Sequence, residues 1–144
     1  MDPRGCILNS IYRYSKLVDD GDFQGVGELF RDGEYVIPSL GLSLAGREIA
    51  QFFSERLKIY PNGTPRTTHA NPNIILEVED GGERARAWTS VLVFQLIETQ
   101  VPCIFSGWYE DDFDKVGDAW TWRRRTAYTR FAGDMSHHVM PATE

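Results

Sequence analysis

The chain is poor in residues that staple or ligate. It has two cysteines, Cys6 and Cys103, and three histidines in 144 residues. Two cysteines make neither a disulfide framework nor a metal cluster, so two free thiols in a reducing compartment are expected. His69 is the only histidine in the first 136 residues. The other two, His137 and His138, are adjacent on 133-GDMSHHVMPATE-144, a stretch read as a loosely ordered tail. Adjacent side chains do not converge on one ion without further ligands, and no metal site is expected. No apolar run approaches the roughly 18 residues that span a bilayer. The opening 1-MDPRGCILNS-10 lacks an extended apolar core after its arginine, so neither a secretory signal nor a membrane partner is expected, and the predicted location is cytoplasmic. Positive charge is outnumbered: 15 Lys and Arg stand against 21 Asp and Glu. A net charge of −6 opposes a phosphate-binding surface. The local run 123-RRR-125 falls within a predicted strand, where alternate side chains point to opposite faces. No nucleic-acid partner is expected.

What the chain does hold is aromatic surface. Four Trp, six Tyr and eight Phe make 12% of the residues, enough for a core or pocket with large apolar walls. The length suits one domain, predicted over 1–132 with the tail at 133–144.

The first half reads as helical. In 5-GCILNSIYRYSKLVDD-20, Ile7, Ile11, Tyr14 and Val18 form one apolar stripe, with Leu8, Ser15 and Asp19 on the adjacent row. Asp19 therefore sits at the border of the buried face, near a helix C-terminus where the dipole disfavours an anion. Gly21 stops this helix, and Asp22 is the predicted N-cap of a second over 23-FQGVGELF-30. A short strand, 34-EYVIP-38, is followed by a turn-rich connection and a third helix over 47-REIAQFFSERLKI-59. After residue 65 the pattern is strand, with long runs at 84–98, 101–116 and 119–132 joined by short turns, which predicts an antiparallel meander. Helices first and a bent sheet afterwards describe an α+β fold whose cone encloses a cavity suited to a small ligand.

The motifs 13-RYSKLVDDGDFQGVGELF-30, 45-AGREIAQFF-53, 68-THANPNI-74, 107-GWYEDDFDK-115 and 120-WTWRRR-125, in this order, resemble the SnoaL-like branch of the nuclear transport factor 2-like superfamily. The resemblance implies a cone-shaped, curved antiparallel sheet closed by three N-terminal helices. The superfamily includes dehydratases such as scytalone and bile-acid dehydratase, a lindane dehydrochlorinase, isomerases, epoxide hydrolases and polyketide cyclases, so fold alone chooses no reaction.

Three residues match the pattern of the lyase members. The resemblance implies an Asp19–His69 dyad, with His69 as a base removing a proton from carbon, Asp19 orienting it, and Tyr14 as an acid or hydrogen-bond donor. A histidine's ordinary pKa near 6.5 suits that task. On sequence alone each has a plainer reading: a structural histidine, a solvated helix end, a core tyrosine. A second histidine on the following strand, used by scytalone dehydratase, is missing from 84-RARAWTSVLVF-94, where Trp88 or Ser90 takes the corresponding region. Arg125 is the chosen candidate for stabilising developing charge, against the alternative of arginines paired with carboxylates such as 110-EDD-112. Asn73, Phe53, Phe105, Trp88 and Ser90 are predicted to contact substrate. Phe94 and Trp108 are read as core, pocket wall or dimer face.

The resulting expectation is a cofactor-independent lyase of dehydratase type, or an isomerase, acting on a hydrophobic polycyclic or aromatic molecule, without metal, in a homodimer or higher homo-oligomer. A non-catalytic ligand-binding or dimerisation module and a polyketide cyclase are the alternatives.

Overall fold

A computed structural model describes residues 2–141. Helix α1 runs Pro3–Asp19, α2 Phe23–Leu29 and α3 Gly46–Arg56. Seven strands accompany them: β1 Glu34–Ile37, β2 Leu42–Ala45, β3 Thr67–Ala70, β4 Ile74–Val78, β5 Arg84–Gln95, β6 Cys103–Val116 and β7 Ala119–Ala132.

The helices begin and end where their sequences allow. Asp2 caps α1 by accepting from the Arg4 and Gly5 N–H groups, and Asp22 caps α2 by accepting from the Gly25 N–H at 2.9 Å. Gly21 has φ of 76°, a left-handed turn that a glycine takes without steric cost. Gly46 opens α3 directly against α2, where a Cβ would run into the Phe30 carbonyl oxygen. The apolar stripe of α1 is buried as its periodicity predicts: Ile7, Ile11, Tyr14 and Val18 all face the sheet.

The sheet has the order β2-β1-β7-β6-β5-β3, with β4 also pairing β5. It is curved and unclosed, and it is mixed rather than wholly antiparallel. β1 lies parallel to β7, Tyr35 opposite Arg125, because the chain reaches β1 from the helices and not by a hairpin. The region after residue 65 is not one strand run: β3 and β4 share the same edge of β5, and the chain crosses between them at Asn71-Pro72-Asn73.

Two further features depart from the sequence reading. A bulge sits where Asp112 opposes Arg124 but Phe113 opposes Trp122, leaving Arg123 as the extra residue. Strict alternation would set Trp122 and Arg125 on opposite faces, yet the bulge turns both inward. The second concerns 133–144. Over 133–141 it is not loose, and residues 142–144 lie outside the described residues. The Lys58 N–H donates to the His138 carbonyl at 2.8 Å, the Met140 N–H to Arg56 at 2.7 Å, and Gln95 Nε2 to the His137 carbonyl at 2.9 Å. The Tyr60 hydroxyl also donates to the His137 carbonyl. The segment is thus tied down by residues far earlier in the chain, as the separations of 42 and 77 to Gln95 and Tyr60 show.

The packed end of the cone is aromatic. Trp122 stacks on Phe30 with ring centroids 4.7 Å apart and lies 4.9 Å from Phe113. Beside it lies an ion pair with no solvent exposure, Arg125 Nε to Asp111 Oδ1 at 2.7 Å and Nη2 to Oδ2 at 2.8 Å. Fork geometry satisfies both carboxylate oxygens, which a buried charge requires. Cys6 and Cys103 are unpaired. Among the described residues no helix is long and apolar enough to cross a membrane.

Candidate active site

His69 arrives on β3, opposite Val93 of β5, with its side chain on the inner face of the sheet. Asp19 arrives as the last residue of α1. They meet: His69 Nδ1 is 2.6 Å from Asp19 Oδ1. The same Oδ1 accepts from the Thr67 hydroxyl at 2.8 Å, and Oδ2 accepts from the His69 backbone N–H at 2.8 Å. Three donors therefore hold a carboxylate that the helix dipole alone would disfavour. That is the local reason for an anion at this helix end. A carboxylate facing Nδ1 places the proton there and leaves Nε2 as the basic nitrogen. The His69 side chain is 8% exposed and that of Asp19 is 18%, so the contact is sheltered without being sealed.

A neighbouring contact fixes the elements that carry the pair. The Ser15 hydroxyl donates to Asn71 Oδ1 at 2.9 Å, and Asn71 Nδ2 donates to the Ser90 carbonyl at 3.2 Å. Asn71 thereby ties α1 to the β3–β4 crossing.

His69 lines a cavity of about 240 Å³ between the helices and the sheet. Its walls are largely apolar, with Val18 and Phe53 from the helices and Val93, Phe105 and Ala127 from the long strands. Interior sites of this character suit small hydrophobic molecules. Tyr14, Tyr35 and Tyr109 supply phenols to the same cavity, and the Tyr14 and Tyr35 hydroxyls are hydrogen-bonded at 2.8 Å. Burial pushes all three phenols up from their ordinary pKa, so they remain protonated donors across the usual pH range.

The remaining predicted site residues divide. Phe53 and Phe105 line the cavity. Arg125 is not among the lining residues: its guanidinium lies 4.4 Å from the Tyr14 ring centroid and 3.7 Å from that of Tyr109, and it is fully buried. The reading of Arg125 as a group beside the reacting molecule is corrected to a buried partner of Asp111 beneath the tyrosines. Arg123 and Arg124 do pair with carboxylates, Arg123 with Asp112 and Asp114 and Arg124 with Glu34.

Trp88, Ser90 and Asn73 are likewise displaced. Along β5 the odd-numbered residues 85–95 turn inward, so Trp88 and Ser90 face out. The Ser90 hydroxyl accepts from the Asn73 N–H at 2.9 Å, a contact that secures the start of β4. Trp108, also on the outer face, stacks on Tyr128 with centroids 5.0 Å apart.

The cavity also holds three residues of the stretch that the sequence reading assigned to a loose tail. His138 lines it together with Met135 and Val139, and is 6% exposed. Burial, and then the charge of nearby His69, lowers its pKa to about 4 despite the opposing effect of Asp19, so the ring is neutral at physiological pH. Local sequence carried no signal for this: the histidine is placed by the distant residues that hold its backbone.

The fold matches a known group. The SnoaL-like domain profile matches residues 1–126, and the chain belongs to that family. No curated protein matches it. Among solved structures it is similar to an NTF2-like protein with a cystatin-like fold from Novosphingobium aromaticivorans, at 21% identity and TM-score 0.72, covering 92% of this chain and 85% of that one. A scytalone dehydratase candidate from the same organism has 22% identity and TM-score 0.70, over 91% and 86%. ActVI-ORFA from Streptomyces coelicolor has 15% identity and TM-score 0.69, over 88% and 96%. At such identities the likeness establishes the fold.

Proposed function

We propose that the protein is a lyase of dehydratase type, or an isomerase, that transfers a proton at carbon on a hydrophobic polycyclic or aromatic molecule. The observation that carries this reading is the 2.6 Å Asp19–His69 contact on the wall of an apolar cavity. His69 Nε2 removes the proton, and Asp19 stabilises the imidazolium that results. Tyr14, backed by Tyr35, hydrogen-bonds the oxygen on which charge develops. In an elimination the C–H electron pair becomes the new double bond, and His69 returns its proton to the departing hydroxyl as water forms. In an isomerisation the proton returns to a different carbon. The likeness to a scytalone dehydratase candidate supports the first outcome.

A compound panel tests this reading without a named substrate. Polycyclic ketones and alcohols are incubated with the protein in D2O, and mass spectrometry follows loss of water or deuterium uptake at carbon. Wild type is expected to act on at least one compound. Asp19→Asn lowers that rate by roughly 10²- to 10⁴-fold and His69→Ala by at least as much, with unchanged thermal unfolding. A His69→Ala variant as fast as wild type would sink the mechanism.

The outer face, with Trp108 stacked on Tyr128 and Ile75 61% exposed, supports pairing with a second copy, which sedimentation would reveal. The unpaired thiols support a reducing, cytoplasmic setting.

A further inference from the structure

Five buried side chains carry a nitrogen or oxygen without a hydrogen-bond partner among the described residues: Thr89, Gln95, Trp122, Arg125 and His138. Four lie in the packed interior. His138 alone also lines the cavity. A buried polar atom left without a partner is costly to keep, and such exceptions call for an explanation in each case. The usual compensations are missing for His138. Its backbone is firmly bonded, through the Lys58 N–H at 2.8 Å, while its Nδ1 meets nothing. The other histidine of the cavity is committed to Asp19 through Nδ1.

We propose that His138 is a ligand-contacting residue, a neutral imidazole that hydrogen-bonds a hydroxyl or carbonyl of the bound molecule at a point distinct from the tyrosines. The tyrosines come from α1, β1 and β6, whereas His138 comes from the segment after β7, so the cavity presents polar groups from two separate regions of the chain. The molecule that satisfies both has an apolar ring body with oxygens at two positions. A neutral imidazole offers one donor and one acceptor, so it accommodates either a hydroxyl or a carbonyl. Its depressed basicity agrees with that role, because a second imidazolium beside His69 would oppose the proton that His69 takes up. The proposal rests on the reading of this cavity as a small-molecule site, and not on the reaction assigned to it.

The experiment uses three probes of matched shape: naphthalene, 2-naphthol and 2,6-dihydroxynaphthalene, titrated calorimetrically into wild type, His138→Phe, His138→Gln and His137→Ala. Wild type is expected to bind the dihydroxy compound about 5- to 10-fold more tightly than 2-naphthol, the increment of one further hydrogen bond. In His138→Phe that ratio falls to about one while naphthalene binding is retained. His138→Gln, which keeps a donor and an acceptor, preserves part of the ratio, and His137→Ala preserves all of it. An unchanged ratio in His138→Phe overturns the proposal. So does an equal loss for all three probes, which would mean that the ring only packs the segment, and so does a wild type that binds none of them. Failure here leaves the D2O exchange dependent on His69 intact. A His69→Ala variant with undiminished exchange would overturn the mechanism without touching the binding ratio.

Discussion

Thr67 and His69 hold Asp19 from the same strand. The Thr67 hydroxyl reaches Oδ1 at 2.8 Å, and the His69 backbone N–H reaches Oδ2 at the same distance. Two residues apart on β3, both side chains turn to the inner face, so the strand that carries His69 also holds the carboxylate that its ring meets.

Replacing Thr67 with Val keeps the shape of the side chain and removes one donor to Asp19. The expected outcome is a loss of about 1 kcal/mol in urea unfolding together with a fall in kcat of several-fold, while KM changes little. A kcat equal to that of wild type would show that the carboxylate needs only its contacts with His69.

Arg125 and Asp111 are predicted to hold the core and not to handle substrate. Removing one charge, as in Asp111→Ala, is expected to destabilise the chain by about 3–5 kcal/mol, because the other is left buried and unpaired. Replacing both, as Asp111→Leu with Arg125→Met, recovers most of that loss. A double-mutant cycle from urea unfolding measures the coupling, and a single variant that costs less than about 1 kcal/mol contradicts the assignment.

Acid is expected to weaken the fold through His138. Its pKa is about 4 in the folded chain against an ordinary 6.5. Between those values the unfolded chain binds the proton and the folded chain does not, so stability falls as pH drops from 6.5 towards 4, by up to about 3 kcal/mol, and this contribution changes no further below. His138→Gln removes the effect. Between about pH 7 and about pH 5 the urea midpoint should therefore fall further for wild type than for the variant, and equal falls would contradict the assignment.

The inward parity of β5 gives a fourth expectation. Phe53→Ala or Phe105→Ala should weaken 2-naphthol binding about tenfold or more, since each removes buried cavity wall. Trp88→Ala and Ser90→Ala should leave it within about twofold, because both side chains face outward. Calorimetry with the same probe decides between the two sets.

Where the sequence proved legible, a single physical pattern was in control. The stripe through Ile7, Ile11, Tyr14 and Val18 determined which way α1 faces and set Asp19 at its border, and the resemblance supplied His69 as its partner. Strand β5 offered no such guide. It carries apolar residues on both faces, Val91 and Val93 within and Trp88 and Leu92 without, so period-two reading has no parity to find. That Trp122 and Arg125 share the inner face was hidden by one inserted residue at the Arg123 bulge, a feature of the pairing between strands and not of either strand alone. His138 was hidden for a related reason: its neighbours in sequence do not position it, and Lys58 and Arg56 do.

The profile of the SnoaL-like family covers residues 1–126, which include Asp19 and His69, while Met135, His138 and Val139 lie past that boundary. The cavity is in this sense closed on one side by a segment that follows the last strand. A graft of residues 133–141 onto a relative, or a relative's equivalent onto this chain, would exchange one wall of the site and leave the dyad untouched. Preference among ligands could then drift, or be engineered, independently of the chemistry.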